Sequence, residues 1–69
     1  MGQMSAEERQ ESIVDEVLVN GRVSVTALAE RHSVTVETIR RDLTALDRRG
    51  ALRKVHGGAV ATSAVAAPE

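Results

Sequence analysis

Not one of the 69 residues is Phe, Tyr, Trp or Cys. Any core must therefore be built from aliphatic side chains: ten Val, five Leu, two Ile and two Met, with ten Ala beside them. Such a core is thin, and a chain of this length forms one small domain at most. Without cysteine there is no disulfide staple and no thiolate metal site, and the two histidines, His32 and His56, cannot make a structural zinc site alone. No metal and no cofactor are expected. Without an aromatic ring there is no platform on which single-stranded bases stack, which excludes the usual single-strand and RNA-binding modules. No apolar run approaches the length of a membrane span, and the opening MGQMSAEER lacks the apolar core of a signal peptide. A cytoplasmic chain with no membrane partner is the expectation.

The net charge of -1 conceals a division along the chain. Residues 1–20 hold Glu7, Glu8, Glu11, Asp15 and Glu16 against Arg9 alone, a balance of -4. Residues 21–60 hold Arg22, Arg31, Arg40, Arg41, Arg48, Arg49, Arg53 and Lys54 against Glu30, Glu37, Asp42 and Asp47, a balance of +4. A basic segment joined to an acidic one is compatible with a polyanion partner on one face.

The local signals resolve three helices and a hairpin. Ser5-Ala6-Glu7-Glu8 is a capping box, and Ile13, Val14, Val17 and Leu18 recur at helical spacing until Asn20-Gly21, which predicts a helix over 6–19. Arg22-Val23-Ser24 is long enough only for a fragment of strand. Ser24 caps a second, shorter helix with Val25, Leu28 and Ala29 on its apolar side, ending near His32-Ser33. Thr35 caps a third, in which Ile39, Leu43 and Leu46 form the buried stripe and Gly50 marks the end. Opposite that stripe lie Glu37, Arg41, Thr44 and Arg48, flanked by Thr38 and Arg40. After Gly50 the pattern alternates through Leu52, Arg53, Lys54 and Val55 and resumes at Ala59-Val60, a hairpin turned on Gly57-Gly58. Residues 1–4 are expected to be disordered, 5–60 to form the domain, and 61–69 to be a flexible linker.

Three helices with a short hinge between the second and third, then a hairpin, describe a winged helix-turn-helix: mainly α, with a small β-hairpin wing. In that geometry the third helix enters the major groove of double-stranded DNA while the second crosses the backbone. Glu37, Thr38, Arg40, Arg41 and Thr44 are the candidate base readers. Arginine donates twice to guanine, glutamate accepts from cytosine N4, and threonine bonds a base edge or touches a thymine methyl. Candidates for phosphate or wing contacts are Ser24, Thr26, Thr35, Arg48, Arg53, Lys54, His56, Gly57 and Gly58. Asp42 sits beside the buried stripe, where a carboxylate facing phosphate would be repelled. A structural role is expected for it, through a pair with Arg9 or a wing arginine.

The run Arg9-x3-Ile13-x3-Val17-x17-Thr35-x2-Thr38-Ile39-Arg40-Arg41-Asp42-Leu43, followed by Gly50-x-Leu52-x-Lys54-x-His56-Gly57-Gly58-Ala59, resembles the N-terminal DNA-binding domain of the DeoR family of bacterial transcriptional regulators. The resemblance spans nearly all of residues 7–60. It departs at His32, where the family often places an aromatic residue, and at Thr35, where Ser is more usual. The resemblance implies a DNA-binding repressor of sugar or nucleoside metabolism genes. It implies, too, a C-terminal domain, absent from these residues, that binds a phosphorylated sugar or nucleoside and drives homo-oligomerisation. The piece alone is expected to be monomeric.

The competing reading is a winged-helix module that docks proteins without touching DNA, which requires exposed apolar residues on the third helix. Catalysis is not expected. Gly57-Gly58 opens no helix and lacks the Lys-Ser/Thr of a P-loop, and no nucleophile-elbow string is present.

Overall fold

The structure, a computed structural model, describes residues 5–62. The expectations for residues 1–4 and for most of the 61–69 linker fall outside that range. The elements run α1 (Ala6–Asn20), β1 (Arg22–Ser24), α2 (Val25–His32), α3 (Val36–Arg48), β2 (Arg53–Val55) and β3 (Gly58–Val60).

Each helix begins where a side-chain oxygen can satisfy an otherwise free amide. At α1 the capping box is reciprocal: Ser5 Oγ accepts from the Glu8 N–H at 3.1 Å and Glu8 Oε1 accepts from the Ser5 N–H at 3.1 Å. Ser24 Oγ accepts from the Ala27 N–H at the start of α2, and Thr35 Oγ1 from the Thr38 N–H at the start of α3, each at 3.1 Å. The α2–α3 turn pivots on Ser33, the one described non-glycine residue with positive φ, at 56°. The Val34 N–H then returns to the Ala29 carbonyl at 3.0 Å, which closes the end of α2 and sends the chain into α3.

The three helical stripes meet in one aliphatic core: Ile13 and Val17 from α1, Val25, Leu28 and Ala29 from α2, and Ile39, Leu43 and Leu46 from α3. Leu52, Ala59 and Ala61 close it from the strand side. Leu18, expected on the buried side of α1, is instead 59% exposed. The inward face of α1 is narrow because Ile13 and Val17, one helical turn apart, already supply its fully buried contact with the core, and Leu18 falls past the edge of that contact. Ala61, expected to open the linker, is buried and its N–H donates to the Gly21 carbonyl at 3.1 Å, so the folded unit runs one residue further.

The strands form a three-stranded antiparallel sheet in the order β1-β3-β2, with Arg22 opposite Val60, Val23 opposite Ala59, Lys54 opposite Ala59 and Val55 opposite Gly58. The hairpin turn is thus His56-Gly57, not Gly57-Gly58. Gly57 takes the left-handed conformation with φ at 81° and open space around it. Gly58 belongs to the strand, where an added Cβ would lie 2.0 Å from the Val23 carbonyl oxygen. Only a residue without a side chain lets β1 and β3 approach here. Three helices with a hinge between the last two, closed by a hairpin on a small sheet, make a winged helix-turn-helix. No helix among the described residues is long and apolar enough to cross a membrane.

Candidate nucleic-acid interface

The orientation of α3 is set by its buried side. Ile39, Leu43 and Leu46 face the core, and Asp42 goes in with them at 4% exposure. A buried carboxylate needs partners, and α1 supplies them. Arg9 Nε donates to Asp42 Oδ2 at 2.5 Å, Arg9 Nη2 to Oδ1 at 3.2 Å and Gln10 Nε2 to Oδ1 at 3.1 Å. Asp42 raises the Arg9 pKa above its ordinary value chiefly through the hydrogen bond, with burial opposing and the charge attraction adding. Arg9 and Asp42 therefore hold α3 against α1. The partner for Asp42 is Arg9, not a wing arginine. Gln10, which no sequence signal singled out, is the third member.

With that side fixed, the opposite surface of α3 is open. Glu37, Arg40, Arg41 and Arg48 are exposed. Together with Thr44 and Ala45 they line a shallow depression of about 380 Å³. Thr38 is half-buried, and its hydroxyl oxygen accepts from the Thr35 hydroxyl at 3.0 Å. Its own O–H remains free to donate. The α3 surface is charged, with Val36 on the first turn as its exposed large apolar residue, which disfavours the protein-docking alternative.

Lys54 joins this surface from the wing. Its ammonium donates to Thr44 Oγ1 at 2.9 Å, and its backbone N–H donates to Asp47 Oδ2 at 3.4 Å. Arg53, its neighbour in β2, lies on the other side of the sheet because successive strand residues alternate. There it shares a row with Val60 and Arg22, since Val60 pairs with both. Arg22 was not among the expected contact residues. Its relation to Arg53 depends on the β1-β3-β2 order, which no local pattern encodes.

A second group gathers at the start of α2. The Val25 N–H donates to the Gly57 carbonyl at 2.9 Å, which ties the wing turn to the helix cap. Ser24, His56 and Gly57 line one concavity there with Arg22. Thr26 is exposed on the first turn of α2, and Thr35 is exposed at the start of α3. Gly58 is buried, and its place in the sheet accounts for it.

The ion pairing separates the cations into two sets. Among the described residues two ion pairs form, Arg9 with Asp42 and Arg31 with Glu16. Arg22, Arg40, Arg41, Arg48, Arg49, Arg53 and Lys54 have no carboxylate within pairing distance among those residues. Arginines that brace the helices are neutralised, whereas those on α3 and the wing are left free.

Comparison with known proteins gives the same reading. The chain is 48% identical over 52 residues to an L-fucose operon activator of Haemophilus influenzae, covering 75% of this chain and 21% of that protein. It is 45% identical over 56 residues to a lactose phosphotransferase system repressor of Streptococcus mutans, covering 81% of this chain and 22% of that protein. It is 43% identical over 53 residues to the HTH-type transcriptional regulator GolR of Listeria innocua, covering 77% of this chain and 21% of that protein. The chain thus spans about a fifth of the length of these relatives. No solved structure matches. The family model for the DeoR-like helix-turn-helix domain matches residues 9–65, so the chain belongs to the DeoR-like helix-turn-helix family of DNA-binding domains.

Proposed function

We propose that this domain binds double-stranded DNA sequence-specifically through the open face of α3, as the reading head of a bacterial transcriptional regulator of sugar or nucleoside metabolism genes. The observation that carries this reading is the unpaired cation set on α3 and the wing, beside Arg9 and Arg31, which are neutralised by Asp42 and Glu16. Free guanidinium groups cost nothing in ion-pair rupture when a phosphate or guanine edge arrives. Arg40 and Arg41 lie in the N-terminal half of α3, which meets base edges in this geometry, with Glu37 and Thr38 as further readers. Arg48, Arg53 and Lys54, the exposed caps Ser24 and Thr35, Thr26, and the His56-Gly57 turn supply phosphate contacts.

Repression is the proposed outcome of binding. One relative is named a repressor and another an activator, and the same head serves either, because the outcome depends on where its site lies relative to the promoter. A phosphorylated sugar or nucleoside would be sensed by a separate domain. Homo-oligomerisation would place two heads on half-sites one helical turn apart and multiply a weak single-head affinity. The setting for this is the cytoplasm.

The test is selection of bound duplexes from a random pool, followed by two substitutions. Arg41→Ala is expected to cost about 1–3 kcal/mol and relax the preference at one base pair. Arg53→Ala is expected to weaken selected and random duplex alike and to flatten the salt dependence. Equal losses from both variants on both duplexes would overturn the division between base readers and phosphate contacts.

A further inference from the structure

Thr44 combines two hydrogen bonds that change its role. Its hydroxyl donates to the Arg40 carbonyl one turn back at 2.9 Å, and its oxygen accepts from the Lys54 ammonium at 2.9 Å. A hydroxyl has one hydrogen to give, and here the helix has taken it. Thr44 has no donor left for a base edge or a phosphate.

Lys54 is correspondingly constrained. It pairs with Ala59 in the ladder, and Ala59 is fully buried. Residues opposite each other share a face of the sheet, so the lysine leaves β2 on the side of the core and its aliphatic stem runs outward to α3. The backbone at the same residue is held by Asp47 from the last turns of α3. An exposed lysine is ordinarily a mobile point charge. This one is fixed to α3 by both its main chain and its ammonium, and two ammonium donors remain unused by Thr44. Thr44 lies in the C-terminal half of α3, where a helix seated in the groove passes the backbone of the duplex.

We infer that Thr44 is a positioning residue that holds the Lys54 ammonium against α3, so that wing and recognition helix meet one phosphate group together and the insertion angle of α3 is set by that contact. This rests on the proposed DNA-binding role and assigns Thr44 a different task from base reading. Lys54 is the group that touches DNA, and Thr44 acts through it.

A double-mutant cycle on the full chain tests this, with a duplex selected by the wild type and the unselected random pool as probes. Lys54→Met is expected to weaken both duplexes by the same factor, on the order of tenfold, and to lower the salt slope by about one. Thr44→Val keeps the shape and removes the hydroxyl. It should weaken both duplexes about three- to tenfold when Lys54 is present, and less than about twofold in the Lys54→Met background. Thr44→Ser should restore wild-type affinity and slope. Thr44→Ala completes the same cycle if the valine variant folds poorly. Additive losses, or a Thr44→Val variant that loses discrimination at a single base pair irrespective of Lys54, would overturn the inference while leaving the DNA-binding role intact. A wild-type chain that binds neither duplex would overturn both.

Discussion

Asp42 shows how one residue can fix a surface it does not belong to. It follows Arg41, which faces the open side of α3, but its carboxylate is turned inward and takes three donors from Arg9 and Gln10. The role of Asp42 was legible from its place beside the Ile39, Leu43 and Leu46 stripe, and Arg9 was a foreseeable partner. Gln10 was not, because an amide on an exposed helix gives no signal until a carboxylate is known to face it. Asp42→Ala strands the Arg9 guanidinium at the α1–α3 seam. It is expected to cost about 2–3 kcal/mol, at the lower end for a broken pair because water reaches this edge. Urea unfolding followed by far-UV circular dichroism measures it; a change under about 0.5 kcal/mol would contradict the bracing role. The raised Arg9 pKa means that its stabilisation is complete below the ordinary arginine range and fades only as pH rises through a still higher value. The pair should therefore be insensitive to pH between about 7 and 10.

The helices were readable as elements because each carries its own punctuation. Ser5, Ser24 and Thr35 cap them, and the apolar residues of α2 and α3 recur on the sides that turn out to be buried. The wing was readable as a hairpin but misplaced by one residue. A double glycine reads as a turn, and nothing local reveals that Gly58 must instead pass the Val23 carbonyl of a strand more than thirty residues earlier. The partnership of β1 with β3 is likewise non-local, which is why the fragment of strand at Arg22-Val23-Ser24 had no partner in sequence and Ala61 was expected in the linker. The two glycines consequently make different demands on substitution. Gly57→Ala meets open space and pays for the left-handed backbone alone, about 1 kcal/mol. Gly58→Ala must push two strands apart, with an expected loss of about 3 kcal/mol or failure to fold. Thermal denaturation of both variants checks this, and equal midpoints would contradict the assigned register.

At the scale of the whole molecule, the acidic-to-basic division along the chain acquires a structural meaning. The acidic residues Glu7, Glu11 and Asp15 are exposed along α1, and Glu16 there takes up Arg31. The free cations are concentrated on α3 and the wing. A net charge near zero therefore hides an acidic α1 and an open α3 face lined by unpaired arginines. What the one-dimensional charge count could not supply was which arginines were already spent. Arg31 looks no different in sequence from Arg41, and only its pairing with Glu16 of α1 separates them. The unpaired cations are proposed to receive a DNA backbone. Fluorescence anisotropy of the chain titrated into labelled mixed-sequence duplex, at about 50 and 200 mM salt, tests it most directly. Four to six phosphate contacts predict a loss of affinity of roughly 10²–10³-fold across that range. No binding at the lower salt, or binding indifferent to salt, would rule out a phosphate-binding role for these cations.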